Sequence, residues 1–63
     1  MSAMLISEKK HRTMWYRVYE DGQRYYFTVG RDRTKAARHR VTYSTSQQAE
    51  KSAREVIDIF LNR

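Results

Sequence analysis

The sequence predicts an α+β fold, a three-stranded antiparallel sheet packed on one carboxy-terminal helix in the order βββα. Three observations lead there. An Asp21-Gly22 dipeptide sits between two runs of aromatic and β-branched residues, which is a strong short-range hairpin signal. A later run, His39 to Ser44, alternates apolar and polar side chains. After it, Ala49, Ala53, Val56, Ile57, Phe60 and Leu61 recur at helical spacing behind a capping sequence.

A chain of 63 residues makes one domain, and near this lower size limit a core holds only about ten side chains. The domain is expected over residues 14–63. Residues 1–13 show no convincing period and read as a flexible basic arm, in which Lys9, Lys10, His11 and Arg12 can follow a phosphate backbone or enter a minor groove.

The hairpin comes first in the domain. With Asp21-Gly22 at the corner, residues 14–20 and 23–29 are the two strands, and Glu20 faces Gln23, Val18 faces Tyr25 and Trp15 faces Thr28. Alternation then puts Met14, Tyr16, Val18, Tyr25, Phe27 and Val29 on one face, the expected core face. The other face carries Trp15, Arg17, Tyr19, Arg24, Tyr26 and Thr28, a mixture of guanidinium groups and rings that a protein of this size cannot easily bury. Gly30 ends the second strand, and Arg31 to Arg38 is a basic loop too short for a stable helix. In the third strand, Val41 and Tyr43 are expected to join the core, with Arg40 and Thr42 on the opposite face. The helix starts at Thr45-Ser46-Gln47-Gln48, a capping box in which Thr45 accepts from a first-turn N–H and Gln48 reaches back to the Thr45 N–H. Its outer face offers the i,i+4 pairs Glu50–Arg54, Lys51–Glu55 and Arg54–Asp58.

The net charge of +6 is unevenly spread. Residues 31–40 hold Arg31, Arg33, Lys35, Arg38 and Arg40 against Asp32 alone, whereas in residues 46–63 Lys51, Arg54 and Arg63 balance Glu50, Glu55 and Asp58. Segregated positive charge favours a polyanionic partner, because each phosphate neutralised releases counterions. The sequence has no cysteine, which removes disulfides and thiolate zinc sites, and the two histidines have no carboxylate spacing that suggests a metal. No cofactor or metal is expected. No apolar run is long enough to span a membrane, and Met4-Leu5-Ile6 is too short for a signal-peptide core, so the default expectation is a cytoplasmic protein.

Catalysis is not expected: the acids lie mostly at turn and helix positions, and Gly30 alone is not a phosphate-cradling motif. Binding of double-stranded DNA fits the residues better. Trp15, Arg17, Arg24, Tyr26, Arg40 and Thr42 on one sheet face can enter the major groove, where Arg donates to guanine O6 and N7 and Thr meets a thymine methyl. Tyr19 and Tyr26 can donate to phosphates, while Arg31, Arg33, Lys35 and Arg38 clamp the backbone on one flank. The same rings can alternatively stack unpaired bases of a single strand. Packing across strands under arginine stems explains the same aromatics without any ligand.

The order strand, Asp-Gly turn, strand, basic loop, strand and helix resembles the amino-terminal arm-type DNA-binding domain of phage and transposon tyrosine integrases. The resemblance lies in Trp15-Tyr16-Arg17-Val18-Tyr19-Glu20-Asp21-Gly22 and in Thr45-Ser46-Gln47-Gln48-Ala49-Glu50, and its layout covers residues 14–61. Thr45 and Ala49 match the family pattern, Gln48 stands where Glu is common, and Tyr43-Ser44 replaces a Gly-aromatic pair. Those domains share an AP2-like sheet backed by one helix. The resemblance implies that the sheet inserts into the major groove and that Arg17, Arg24, Tyr26 and Arg40 take the base-facing and phosphate-facing roles. The chain would then be a recombinase fragment or a small phage-type regulator.

A reading of another class is a phage-type interaction module or inhibitor that docks on an acidic host protein through the same aromatic and basic face, since Tyr, Trp and Arg are also enriched at protein hot spots. A monomer is expected under either reading, with a free edge on the first or third strand that a second copy can pair with.

Overall fold

The computed structural model describes residues 3–32, 37–38 and 41–62. The fold is α+β with an antiparallel sheet and one carboxy-terminal helix, but the sheet has four strands, not three. These are β1 (Met4–His11), β2 (Met14–Asp21), β3 (Arg24–Gly30) and the two-residue β4 (Ala37–Arg38), followed by α1 (Ser46–Leu61). They lie side by side in chain order, so every neighbouring pair is a simple antiparallel return.

The extra strand is the stretch expected to be a flexible arm. β1 pairs with β2 from His11 opposite Met14 to Met4 opposite Glu20, with a bulge at Ile6 between Leu5 and Ser7. Two features hid it from the sequence. Its turn, Arg12-Thr13, contains no Gly, Asn or Asp, and Arg12 reaches φ +59°, a value non-glycine residues seldom adopt. Its helix-side positions are also polar: Lys9 and His11 lie opposite the core residues Tyr16 and Met14, so no apolar alternation marks the strand.

The central hairpin forms, with its corner one residue later than expected. Gly22 and Gln23 have φ of +60° and +69°, as a type I′ turn requires of both central residues, and Asp21 stays in the ladder opposite Arg24. Val18 therefore faces Phe27, not Tyr25, and Trp15 faces Gly30, not Thr28. Moving the corner by one residue shifts each partner by two. Side chains repeat their face every two residues, so both rows keep their expected sides.

Of the expected third strand over 39–44, the described residues pair with the sheet only at Tyr43, and a two-residue strand lies ahead of it. Ala37 and Arg38 pair with Val29 and Thr28, and Tyr43 then forms an isolated bridge to Tyr25, N–H to carbonyl in both directions at 2.9 and 2.7 Å. Val41 and Thr42, just before that bridge, stand outside the ladder. His39 and Arg40 lie outside the described residues.

α1 closes one face of the sheet. Thr45 is its N-cap, extended at φ −135° and ψ 154°, and Thr45 Oγ1 accepts from the Gln48 N–H at 3.1 Å. The Gln48 side chain accepts from the Ser44 hydroxyl at 2.9 Å, so it engages the chain just before the cap. The buried core is Met14, Tyr16, Val18 and Phe27 from the sheet with Ala49, Ala53 and Ile57 from the helix. The two alanines let the helix backbone come close to the strands. Tyr25, Val29, Tyr43, Val56 and Leu61 pack around this centre, and the rings of Phe27 and Tyr43 stack with centroids 6.0 Å apart. Two expected core residues are not in it: Val41 is 51 % exposed because the chain has left the ladder there, and Phe60 is 44 % exposed near the helix end.

Candidate nucleic-acid interface

The face of the sheet opposite α1 is laid out by strand pairing. Across β1, β2 and β3 the first row is Lys10, Trp15 and Gly30; the second is Glu8, Arg17 and Thr28, continued by Arg38 of β4; the third is Leu5, Tyr19 and Tyr26. Asp21 and Arg24 close the face at the corner.

The rings on this face are already engaged with their neighbours. Tyr19 and Tyr26 stack with centroids 5.1 Å apart and planes 14° from parallel. The Arg38 guanidinium carbon lies 4.0 Å from the Tyr26 centroid, a cation–π contact reaching in from the next strand. Lys10 Nζ is 5.9 Å from the Trp15 ring centre. Arg24 is tied to the returning chain, donating from Nε and Nη2 to Thr42 Oγ1 at 3.2 and 3.0 Å and from Nη2 to the Thr42 carbonyl at 3.3 Å. Arg17 Nε donates to Glu8 Oε2 at 2.6 Å, and this bond holds the Arg17 pKa above its ordinary value.

The structure thus brings Trp15, Arg17, Tyr19, Arg24, Tyr26, Arg38 and Thr42 of the expected site to one side of the sheet. Arg38, expected on a clamping loop, is a sheet residue. Arg31 goes elsewhere: its guanidinium carbon lies 5.7 Å from the ring of Phe60, at the end of the helix. Arg33, Lys35 and Arg40 lie outside the described residues. Glu8 and Lys10 also belong to this face: Lys10, expected on a flexible arm, is a sheet residue, and Glu8 was not among the expected site residues. With the Arg12-Thr13 corner in place, counting back from His11 opposite Met14 finds both; the sequence gives no sign of that corner.

The remaining cations of β1 and its turn face the helix. Lys9 Nζ pairs with Glu50 Oε1 at 2.9 Å, and the same oxygen accepts from the Tyr16 hydroxyl at 3.3 Å. Arg54 Nη1 donates to that hydroxyl at 3.3 Å and lies 3.8 Å from Glu50, the expected i,i+4 pair. A second cluster joins His11 Nε2 and Arg12 Nη1 to Asp58 Oδ1 at 2.9 and 3.2 Å, and Arg12 also donates to Asn62 Oδ1 at 3.3 Å. The bond from Lys9 holds the Glu50 carboxyl below its ordinary pKa, and the bonds from His11 and then Arg12 do the same for Asp58. Glu50 in turn raises the Lys9 pKa. Asp58, expected to pair with Arg54 along the helix, is instead engaged across to the first hairpin.

Fold and face together define a small α+β protein with a basic, aromatic sheet surface, and no helix among the described residues is long and apolar enough to cross a membrane. No protein-family model, curated protein or solved structure matches the chain.

Proposed function

We propose that the protein is a small DNA-binding domain that presents the open face of its sheet to the major groove of duplex DNA. The observation that carries this reading is the gathering of Lys10, Arg17, Arg24 and Arg38 with Trp15, Tyr19 and Tyr26 on the face away from the helix. Groove dimensions fit a part of that face. The major groove is about 12 Å wide and admits a two-stranded ribbon, whereas four strands at about 4.8 Å spacing span about 14 Å between the outer two. The β2–β3 hairpin is therefore the part that enters, with Arg17 and Tyr26 toward the bases, and Lys10 on β1 and Arg38 on β4 meet the two backbones.

Ring geometry favours a duplex over a single strand. Stacking an unpaired base needs an open ring face. Tyr26 lies against Tyr19 on one neighbouring strand and Arg38 on the other, which leaves its edge and hydroxyl to reach outward. An origin in a phage or mobile element belongs to the same reading through the integrase resemblance, and action in the cytoplasm through the default drawn from the sequence.

The test is a chemical-shift titration of the full chain with a short random-sequence duplex, repeated from about 50 to 200 mM salt. Shifts centred on Trp15, Arg17 and Tyr26, with an affinity that falls steeply with salt, are expected. Shifts on α1 overturn the reading. Tight binding to an acidic protein with little salt response, and no duplex binding, would favour the interaction-module alternative.

A further inference from the structure

Glu8 stands partway along the edge strand β1, directly opposite Arg17 on the neighbouring strand β2. Its Oε2 lies 2.6 Å from Arg17 Nε, and the two side chains are only 22 % and 27 % exposed. Solvated surface ion pairs are usually loose, because two long side chains lose rotamer freedom for a screened attraction. This pair is short, largely covered, and fixed across a directly opposed strand position.

On a surface that only attracts phosphate, a carboxylate subtracts from the field. Here it does something an extra lysine would not. A guanidinium is a planar fork of five donors, so a bond that fixes its Nε edge also fixes the plane of the fork. On its other side Arg17 faces Thr28, which carries no charge; Tyr19, two residues along β2, is a second side-chain hydrogen-bond partner after Glu8. A fork of fixed orientation discriminates in the major groove, where guanine presents O6 and N7 as paired acceptors. A phosphate can accept from the same fork, but a backbone drawn close to Glu8 is repelled by its carboxylate.

We propose that Glu8 is a positioning residue that sets Arg17 for a guanine and gives the face a preference for G·C pairs at the expense of sequence-independent affinity. The inference rests on the duplex-binding reading above and names its preferred substrate.

The experiment measures the affinity of the full chain for two short duplexes, one of A·T pairs only and one with a randomised core that includes G·C pairs, in wild type, Glu8→Gln and Arg17→Lys. Circular dichroism of each variant establishes that it is folded. The wild type is expected to enrich G·C-containing cores and to prefer them by about tenfold. Glu8→Gln should bind the A·T duplex about threefold more tightly, one repulsive charge having gone, and lose most of the preference. Arg17→Lys keeps the charge without the fork, so it should lose the preference with little change on the A·T duplex. An equal gain on both duplexes in Glu8→Gln would show a carboxylate that only repels and would overturn the inference, as would an unchanged preference in Arg17→Lys. A wild type that binds neither duplex overturns the duplex reading itself, and that result is visible before any variant is made.

Discussion

Lys9 and Lys10 are neighbours in β1, yet they belong to opposite sides of the sheet. Lys9 points to the helix and pairs with Glu50; Lys10 points away and lies over Trp15. The same division holds across the molecule. On the helix side His11 and Arg12 meet Asp58, and Arg54 meets Glu50. On the open side Arg38 lies on a ring and Arg24 on a threonine; Arg17, held by the Glu8 carboxylate, is the exception. A cation facing a carboxylate has a partner that folding supplies. A cation over a ring keeps its charge for an external anion, and this separates a basic residue that holds the fold from one able to bind phosphate.

Removing the core should break this division most completely. Phe27→Ala takes a fully buried ring from under the helix and should lower stability by about 3–5 kcal/mol, whereas Tyr26→Ala, next to it on the open side, should change it by about 1 kcal/mol. Urea unfolding of the two variants measures the gap; equal losses would mean that the open side is also core. The next effect is at the corner between the sides. Gly22→Ala puts a Cβ at φ +60° with no atom close enough to crowd it, so the loss of about 1 kcal/mol is conformational alone. Gln23→Gly at φ +69° should stabilise by a few tenths of a kcal/mol at most, strain relief being offset by unfolded-chain entropy, at about the precision of melting experiments.

Smaller effects sharpen the comparison between the lysines. Lys10→Ala should weaken duplex binding severalfold and reduce the salt slope by about one phosphate contact. Lys9→Ala should leave the slope unchanged, because its charge is already answered by Glu50. Equal slopes in the two variants would erase the distinction between the sides.

The gentlest probe is pH. Folding holds the Glu50 and Asp58 carboxyls below their ordinary pKa values, so their contribution is fully present above that range and is lost as pH falls through the lowered values. The raised Lys9 pKa acts at the other end: its contribution is present below the ordinary lysine value and lost as pH rises through the raised one. A Glu50→Gln, Asp58→Asn double variant should therefore show a flatter decline of stability below about pH 4 than the wild type. An identical acid limb would show that these pairs do not favour the folded state.

Much of the fold is legible in short stretches of sequence. Thr45 followed by Gln48 and the stripe from Ala49 to Leu61 give the helix and its cap, because capping and helical periodicity act within a few residues. The two sides of the central hairpin follow from alternation, and they survive a corner placed one residue early, since that error is even in register. β1 is different. Its helix-side residues are held by side-chain hydrogen bonds to positions more than forty residues away, and nothing near them in the chain signals those partners.

Alternation and periodicity alone thus determined which side chains share a face and where the helix begins, because both depend only on backbone geometry repeated over neighbouring residues. Which cations the fold neutralises, and that Glu8 stands against Arg17, was decided only when distant strands and the helix came together. Charge pairing depends on distance in space, and sequence separation says little about it.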